Sequence, residues 1–466
     1  MSTIPPFNIS DVGETNQLCS YEERRIIKGS LRRKEDELEN IRQQIDALSR
    51  HQNEIMEDIE RHRIALAPYK ILPEDIIRQI FTFYCHGTAH FPLLRSNPQL
   101  TLCAVCSAWR RVGLDMPHIW SDVVLYRAST SIRSRNLIAV MNEWLSRARH
   151  VPRSLAIELF GGEAVDKETL VQLIQSYQYR KIHLLLDYKV LSQALIELPD
   201  ATFLHLEEIK IEVIAPVLHH DDGPFITPVL FKPTVRLTNT TSLEISGACD
   251  DRFLRTAFTS WLKLRHLDIA VYIPSQRCFE VLREGTSLDY CSLAVRRDSD
   301  FVTRSPTFDE PYLISNVQYL SLRFNSATTA EPYIRLLLLP RIRDLQLYTI
   351  NSELTLGCDA IALAEMARRS QMKDIERLTY GNCDGPCDAR MILECMPSLK
   401  FLSILGEAIF YGNQAMEDLA AGILGPHLTS FQADDMQGAG ELAATVQIRN
   451  NNVQLTSINV HIRNLK

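Results

Sequence analysis

No apolar run in the 466-residue chain reaches the roughly 18 residues that a helix needs to cross a bilayer. The first ten residues carry no basic stretch followed by an apolar one, so no secretory signal is expected there. Cysteines number eleven and are scattered, not clustered in a disulfide-like framework. Free thiols in a reducing compartment are the expectation, which places the protein in the cytoplasm or nucleus, with no membrane partner. There is no surplus of positive charge either. Lys and Arg number 50 against 57 Asp and Glu, a net charge of −7. That sign argues against a protein that coats nucleic acid along its length, and no nucleic-acid partner is expected.

Catalytic signatures are missing too. The chain has no phosphate-cradling G-x-x-x-x-G-K loop, no G-x-S-x-G elbow and no H-E-x-x-H pair. Cys103 and Cys106 have redox spacing, but they sit in an apolar helical run, where small thiols pack as core. Cys383 and Cys387 flank Asp384-Gly385-Pro386 without a second pair or histidines at ligand spacing. His219, His220, Asp221 and Asp222 are consecutive, and consecutive side chains do not converge easily on one ion. No metal, no cofactor and no catalytic residue is assigned, and the chain is not expected to be an enzyme.

Proline is absent between Pro6 and Pro68. Residues 1–20 read as a flexible tail, and residues 21–67 read as one long helix. Ser20 with Glu23 fits a capping box, in which hydroxyl and carboxylate each satisfy a free backbone N–H. From Leu31 the apolar residues keep a seven-residue frame. Its a positions are Leu31, Leu38, Ile45, Gln52, Ile59 and Leu66; its d positions are Lys34, Ile41, Leu48, Ile55 and His62. This is the seam of a coiled coil. Residues 21–66 hold eleven acids against ten bases, which suits an exposed helix with intrahelical pairs. Two readings stand: a homo-oligomer through residues 31–66, or a helix that folds back on its own chain. The backbone preference of the residue before Pro68 closes the helix.

Residues 68–122 hold the most specific motif. Leu72-Pro73-Glu74-Asp75-Ile76-Ile77 leads into Ile80-Phe81, with proline and acids where a helix starts. After a loop with Gly87, Pro92 and Pro98, a second helix is expected over Leu100–Val112, carrying Leu102, Val105, Cys106 and Trp109. Met116-Pro117-His118-Ile119-Trp120 closes the segment. The order resembles the F-box family, with LP-x-E-I-x-x-x-I-F, then L-x-x-V-C-x-x-W, then P-x-x-W. Glu74-Asp75-Ile76 departs from it by one swapped residue. About 50 residues are covered.

The resemblance implies a helical trap that docks on the Skp adaptor, and through it on a cullin, of a Skp–cullin–F-box ubiquitin ligase. It implies that Leu72, Pro73, Ile76, Ile77 and Ile80 lie at or near the adaptor. It implies that Val105, Cys106, Trp109 and Trp120 hold the trap together or complete that face. An ordinary helical hairpin with all these side chains in its core is the alternative.

Residues 123–150 read as a connecting helical segment, and residues 151–466 as a repeat domain. A φ-x-x-L-x-L pattern recurs at Leu206/Ile209/Ile211, Leu264/Leu267/Ile269, Tyr290/Leu293/Val295, Val317/Leu320/Leu322 and Ile342/Leu345/Leu347. It returns at Leu399/Leu402/Ile404 and Leu455/Ile458/Val460, with weaker copies from Thr240, Ile375 and Leu428. From Leu264 the steps are 26, 27, 25, 33, 24, 29 and 27 residues. These approach the leucine-rich-repeat period, although the usual asparagine is mostly missing. The expected fold class is therefore α/β: a coiled-coil helix, a helical F-box module, then a leucine-rich-repeat-like solenoid with a curved parallel sheet. A non-repetitive α/β domain is the competing reading. Polar residues between the patterned positions would face a target protein: Arg265, Asp268, Tyr319, Arg323, Arg343, Gln346 and Lys400, with His266 on the same face. The expected function is a non-catalytic substrate receptor. The alternative is a scaffold that binds the adaptor or dimerises without directing ubiquitylation.

Overall fold

The computed structural model describes residues 18–94, 96–126, 134–158, 167–214, 237–247, 261–296, 313–324, 330–349, 360–381, 387–410, 413–452 and 454–462. His219 to Asp222, Asn325, Asn382 and Cys383 lie outside the described residues. The protein is α/β, with a long N-terminal helix and a large parallel sheet. The chain divides into two compact units. The first is Met1–Ile80 with Ala104–Val112; the second is Phe81–Cys103 with Gly113–Lys466.

In the first unit, helix α1 runs Tyr21–Ala65 and buries none of its residues. The capping box forms: the Ser20 amide donates to Glu23 Oε2 at 2.8 Å, and the Glu23 amide donates to Ser20 Oγ at 3.3 Å. Those bonds hold the Glu23 carboxyl below its ordinary pKa. The helix stops at Ala65, two residues before the alanine that precedes Pro68. Helix α2, Glu74–Tyr84, begins in this unit and continues into the second. The Pro73 carbonyl accepts from the Ile77 amide at 3.1 Å, so Pro73 is the N-cap, one position earlier than expected.

The expected second helix is two. Helix α3 is Pro98–Cys103 and helix α4 is Ser107–Leu114. Asn97 caps α3 through its side chain, at 3.1 Å from the Leu100 amide, with Pro98 at the first position. The Cys106 carbonyl starts α4 by accepting from the Arg110 amide at 3.0 Å. Ser107 and β-branched Val105 are weak mid-helix residues, which favours the break.

The second unit holds a sheet of 15 strands, all paired in parallel. They are β1 Ala89–Phe91, β2 Asp122–Tyr126, β3 Arg153–Glu158, β4 Tyr179–Asp187, β5 Glu208–Ile214, β6 Ser242–Gly247 and β7 His266–Pro274. Next come β8 Tyr290–Arg296, β9 Leu313–Ile314, β10 Tyr319–Phe324, β11 Leu337–Leu338, β12 Asp344–Thr349 and β13 Arg377–Gly381. The last are β14 Cys387–Asp388, β15 Phe401–Ile409, β16 Ser430–Met436 and β17 Asn459–Ile462. β9 and β11 pair with each other as a separate ribbon. In the main sheet the strands succeed one another in chain order, with β14 added beside β15. Helices return the chain between many of them, for example Ser275–Glu284, Ala360–Ser370, Asn413–Ala420 and Ala439–Asn450.

The sheet begins earlier than residue 151. β1 lies in the loop expected between the two helical halves of the motif, and β2 in the expected connecting segment. Alternation explains the strands: β3 reads buried–half-buried throughout, and β12 likewise. Leu155, Ile182, Ile209, Leu243, Leu267, Cys291, Leu320, Leu345, Leu378, Leu402 and Phe431 align in one buried row.

That row corrects two copies of the repeat. Leu267 aligns with Cys291, so the frame at Tyr290/Leu293/Val295 is really Leu288/Cys291/Leu293. Phe431 aligns with Val460, so the last frame is Ser457/Val460/Ile462. β8 is buried at five consecutive positions, Cys291 to Val295, so its alternation is invisible and the frame slips by two. Gly247, with φ +88°, ends β6 where an added Cβ would stand 2.0 Å from the Val213 carbonyl oxygen. Gly247→Ala is expected to lower stability by about 3 kcal/mol or more, read as a lower unfolding midpoint.

Candidate functional site

Helix α2 carries the motif's apolar residues, and its two sides differ. Ile77, Phe81 and then Cys85 are buried, at 4%, 0% and 7% exposure. At about 100° per residue, Ile76, Ile80, Phe83 and Tyr84 occupy the adjoining sector. Ile76 is 41% and Phe83 73% exposed, and Ile80 is half-buried. The apolar sector thus spans about 200°, roughly twice what a helix packed on one side needs, and half of it is open. Arg78 pairs with Glu74 at 2.6 Å on the polar side.

The remaining motif residues divide in the same way. Leu72, Val105 and Cys106 are half-buried, and Pro73 is exposed. Trp109 is buried, and its indole N–H donates to the Tyr69 carbonyl at 2.9 Å within the first unit. In the second unit Trp120 is fully buried. Its indole donates to the Gly113 carbonyl at 2.9 Å and its ring lies edge-on to Trp144 at 4.6 Å. Ile77, Trp109 and Trp120 are therefore core residues in the free chain. Exposed Ile71 and Phe83 were not singled out by the motif, although Phe83 falls on the Ile76–Ile80 face by its spacing alone. Burial, with the Cys103 thiol nearby, pushes the Cys85 thiol up to about 12. Among the described residues no group of three or more His, Cys, Asp or Glu could hold a metal ion. No helix among them is long and apolar enough to cross a membrane.

The seven residues expected to face a target fall into two sets. Arg265, Arg343 and Lys400 stand just before β7, β12 and β15 and are exposed. Their carbonyls belong to a backbone relay. Arg265 accepts from the Asp289 and Tyr290 amides, Arg343 from Glu376 and Arg377, and Lys400 from Thr429 and Ser430, all at 2.8–3.1 Å. Lys400 also pairs with Glu376 at 2.9 Å.

Asp268, Tyr319, Arg323 and Gln346 lie on the strands themselves, half-buried on the open face. There the register builds a ladder. His266 stacks on Tyr290 at 4.2 Å, and Tyr290 on Tyr319 at 4.1 Å with 4° between planes. Beyond them Arg377 pairs with Asp344 at 3.3 Å and covers the Phe401 ring at 4.4 Å. Burial raises the pKa of Tyr290, Tyr319 and Asp344. Arg323 reaches back across two strands to Ser292 Oγ and Asp268 Oδ1, both at 3.4 Å, while its buried Nε has no partner among the described residues. The result is a flat aromatic platform beside an incompletely satisfied guanidinium. His266, expected on this face by position, and Tyr290 complete that platform, and for Tyr290 only its equivalence to Tyr319 in strand register reveals it.

No protein-family model matches the chain, and comparison with curated proteins gives no match.

Proposed function

We propose that the chain is a non-catalytic substrate-receptor subunit of a Skp–cullin–F-box ubiquitin ligase. The observation that carries the reading is α2, whose open apolar half, Ile76 and Ile80 with Phe83, continues its buried half. An exposed Ile76 beside a half-buried Ile80 on a motif-bearing helix favours a partner surface, because covering the open part of each such side chain contributes about 1 kcal/mol. Leu72, Ile76 and Ile80 would meet the Skp adaptor. Ile77, Trp109 and Trp120 would hold the helices that present them.

The parallel sheet supports the second half of the proposal, a leucine-rich-repeat-like solenoid. With the corrected frames, starts at 264, 288, 317, 342, 375, 399, 428 and 457 are spaced by 24 to 33 residues. Its open face, with the Tyr290–Tyr319 platform and Arg323, would hold the target. The contribution to catalysis is proximity, which keeps a target lysine at high effective concentration near the charged enzyme.

The full chain mixed with a purified Skp adaptor should form a one-to-one complex, measured by calorimetry. Absence of binding at micromolar concentrations would overturn the docking. For the target, Arg323→Gln should remove proteins from affinity capture that the wild type retains, with adaptor recovery unchanged. Identical capture would remove the face from the proposal.

A further inference from the structure

We infer that α1 pairs with α1 of a second copy of this chain as a parallel, in-register, two-stranded coiled coil. This is independent of the ligase reading. The helix runs 45 residues, about 68 Å, with no residue buried. Its apolar seam side chains from Leu31 to Ile59 stand 46–68% exposed. A strict seven-residue repeat differs from the 3.6-residue period of a straight helix. It keeps one seam in contact over this length only when the helix supercoils with a partner of the same period.

The polar seam positions choose the direction. In parallel register Gln52 meets Gln52 of the partner copy, where two amides can hydrogen-bond. Lys34 and His62 likewise meet their own kind near the seam's ends, within reach of water. An antiparallel pair with full overlap would bury Gln52 against Ile41, Lys34 against Ile59 and His62 against Leu31. Each is a polar group set against an aliphatic one, without a hydrogen-bond partner.

The flanking charges agree. In parallel register Glu37 faces Arg42 and Asp58 faces Arg63, each made twice by symmetry, and no like charges face each other at these flanking positions; the like-charged Lys34 pair lies near the seam's end, open to water. In the antiparallel arrangement Glu37 faces Asp58 and Lys28 faces Arg63. Within one chain Arg42 and Arg63 rest near Glu39 and Glu60 at 4.0 and 3.8 Å. Those exposed pairs are weak enough to leave both guanidinia available across the seam.

Light scattering on the full chain should give twice its 53.2 kDa mass. Glu37→Arg should weaken the dimer roughly tenfold, by placing arginine against arginine twice, and adding Arg42→Glu should restore it. Cys19→Ser with Gln52→Cys should form a disulfide-linked dimer on oxidation. A monomeric or trimeric mass would overturn the inference. So would tighter association of Glu37→Arg, the sign expected when residue 37 faces Asp58, or the absence of a cross-link at position 52. Circular dichroism separates these outcomes from misfolding, because the large sheet signal must persist in every variant.

Discussion

Ile76→Asp combined with Ile80→Asp is expected to reduce adaptor binding more than a thousandfold while leaving the thermal unfolding of the chain nearly unchanged. The two halves of that statement rest on the same helix. Ile76 is 41% exposed and Ile80 half-buried, so in the free chain both carboxylates can turn to water. In a complex they would be pressed into an apolar contact. Covering the parts of the two isoleucines still open to water contributes about 1–2 kcal/mol, and pressing two unpaired carboxylates into an apolar contact adds a desolvation cost of several kcal/mol. More than about 4 kcal/mol corresponds to the stated thousandfold. Ile77→Asp is the contrasting control. Ile77 is one residue away but 4% exposed, and a carboxylate there should lower stability by about 3 kcal/mol or more before any partner is considered. Calorimetry against the adaptor and a thermal scan of each variant read the two effects separately. If the double variant still binds undiminished, the open half of α2 is not the docking surface.

Ile76 and Ile77 also mark where the sequence stops being legible. Their apolar pattern names the helix, but neighbouring residues of equal hydrophobicity share one broad sector. Which is covered depends on elements far away in the chain. The start of α1 was legible because a capping box is local: Ser20 and Glu23 satisfy each other within one turn. The sheet was legible wherever alternation was clean, as at Leu345/Leu347 and Leu402/Ile404. At β8 the strand was legible but its frame was not, because Cys291 to Val295 are buried in succession. β1 was missed because three residues carry too little periodicity, and only pairing with β2 makes Ala89–Phe91 a strand. On the open face, Tyr319 and Arg323 were found by position. Position put His266 there too, but the stacking of Tyr290 between His266 and Tyr319 is a product of register between strands, which no local pattern contains.

Arg449→Met should destabilise the last part of the sheet by about 3–5 kcal/mol, an effect no sequence pattern foreshadows. Arg449 sits near the end of the helix Ala439–Asn450, where an arginine usually reaches into solvent. Here it is 0% exposed. Its Nε donates to the Thr456 carbonyl at 3.1 Å. Nη1 donates to Leu419 and Leu424 at 3.2 and 3.1 Å, and Nη2 to Gly425 and Pro426 at 2.8 and 3.3 Å. One planar cation thus ties the turn after Asn413–Ala420 to the segment that leads into β17. Burial lowers its pKa from the ordinary value, yet backbone dipoles converge on it and supply the compensation that a carboxylate usually gives. Methionine keeps most of the aliphatic stem and removes every donor. Each buried carbonyl left unpaired costs about 1–3 kcal/mol, and those at the edge recover part of that from water, which sets the range. Arg449→Lys keeps the charge but cannot reach five oxygens in one plane, so it should fall between the two. Because strands here contact their neighbours in chain order, the loss should be local. Hydrogen exchange should show weakened protection in β15 to β17 and unchanged protection in β3 to β5. Protection lost evenly from β3 to β17 would mean that the sheet opens as one cooperative unit. An unchanged midpoint would mean that water replaces the guanidinium at all five carbonyls, which the burial of Leu419, Leu424 and Gly425 opposes.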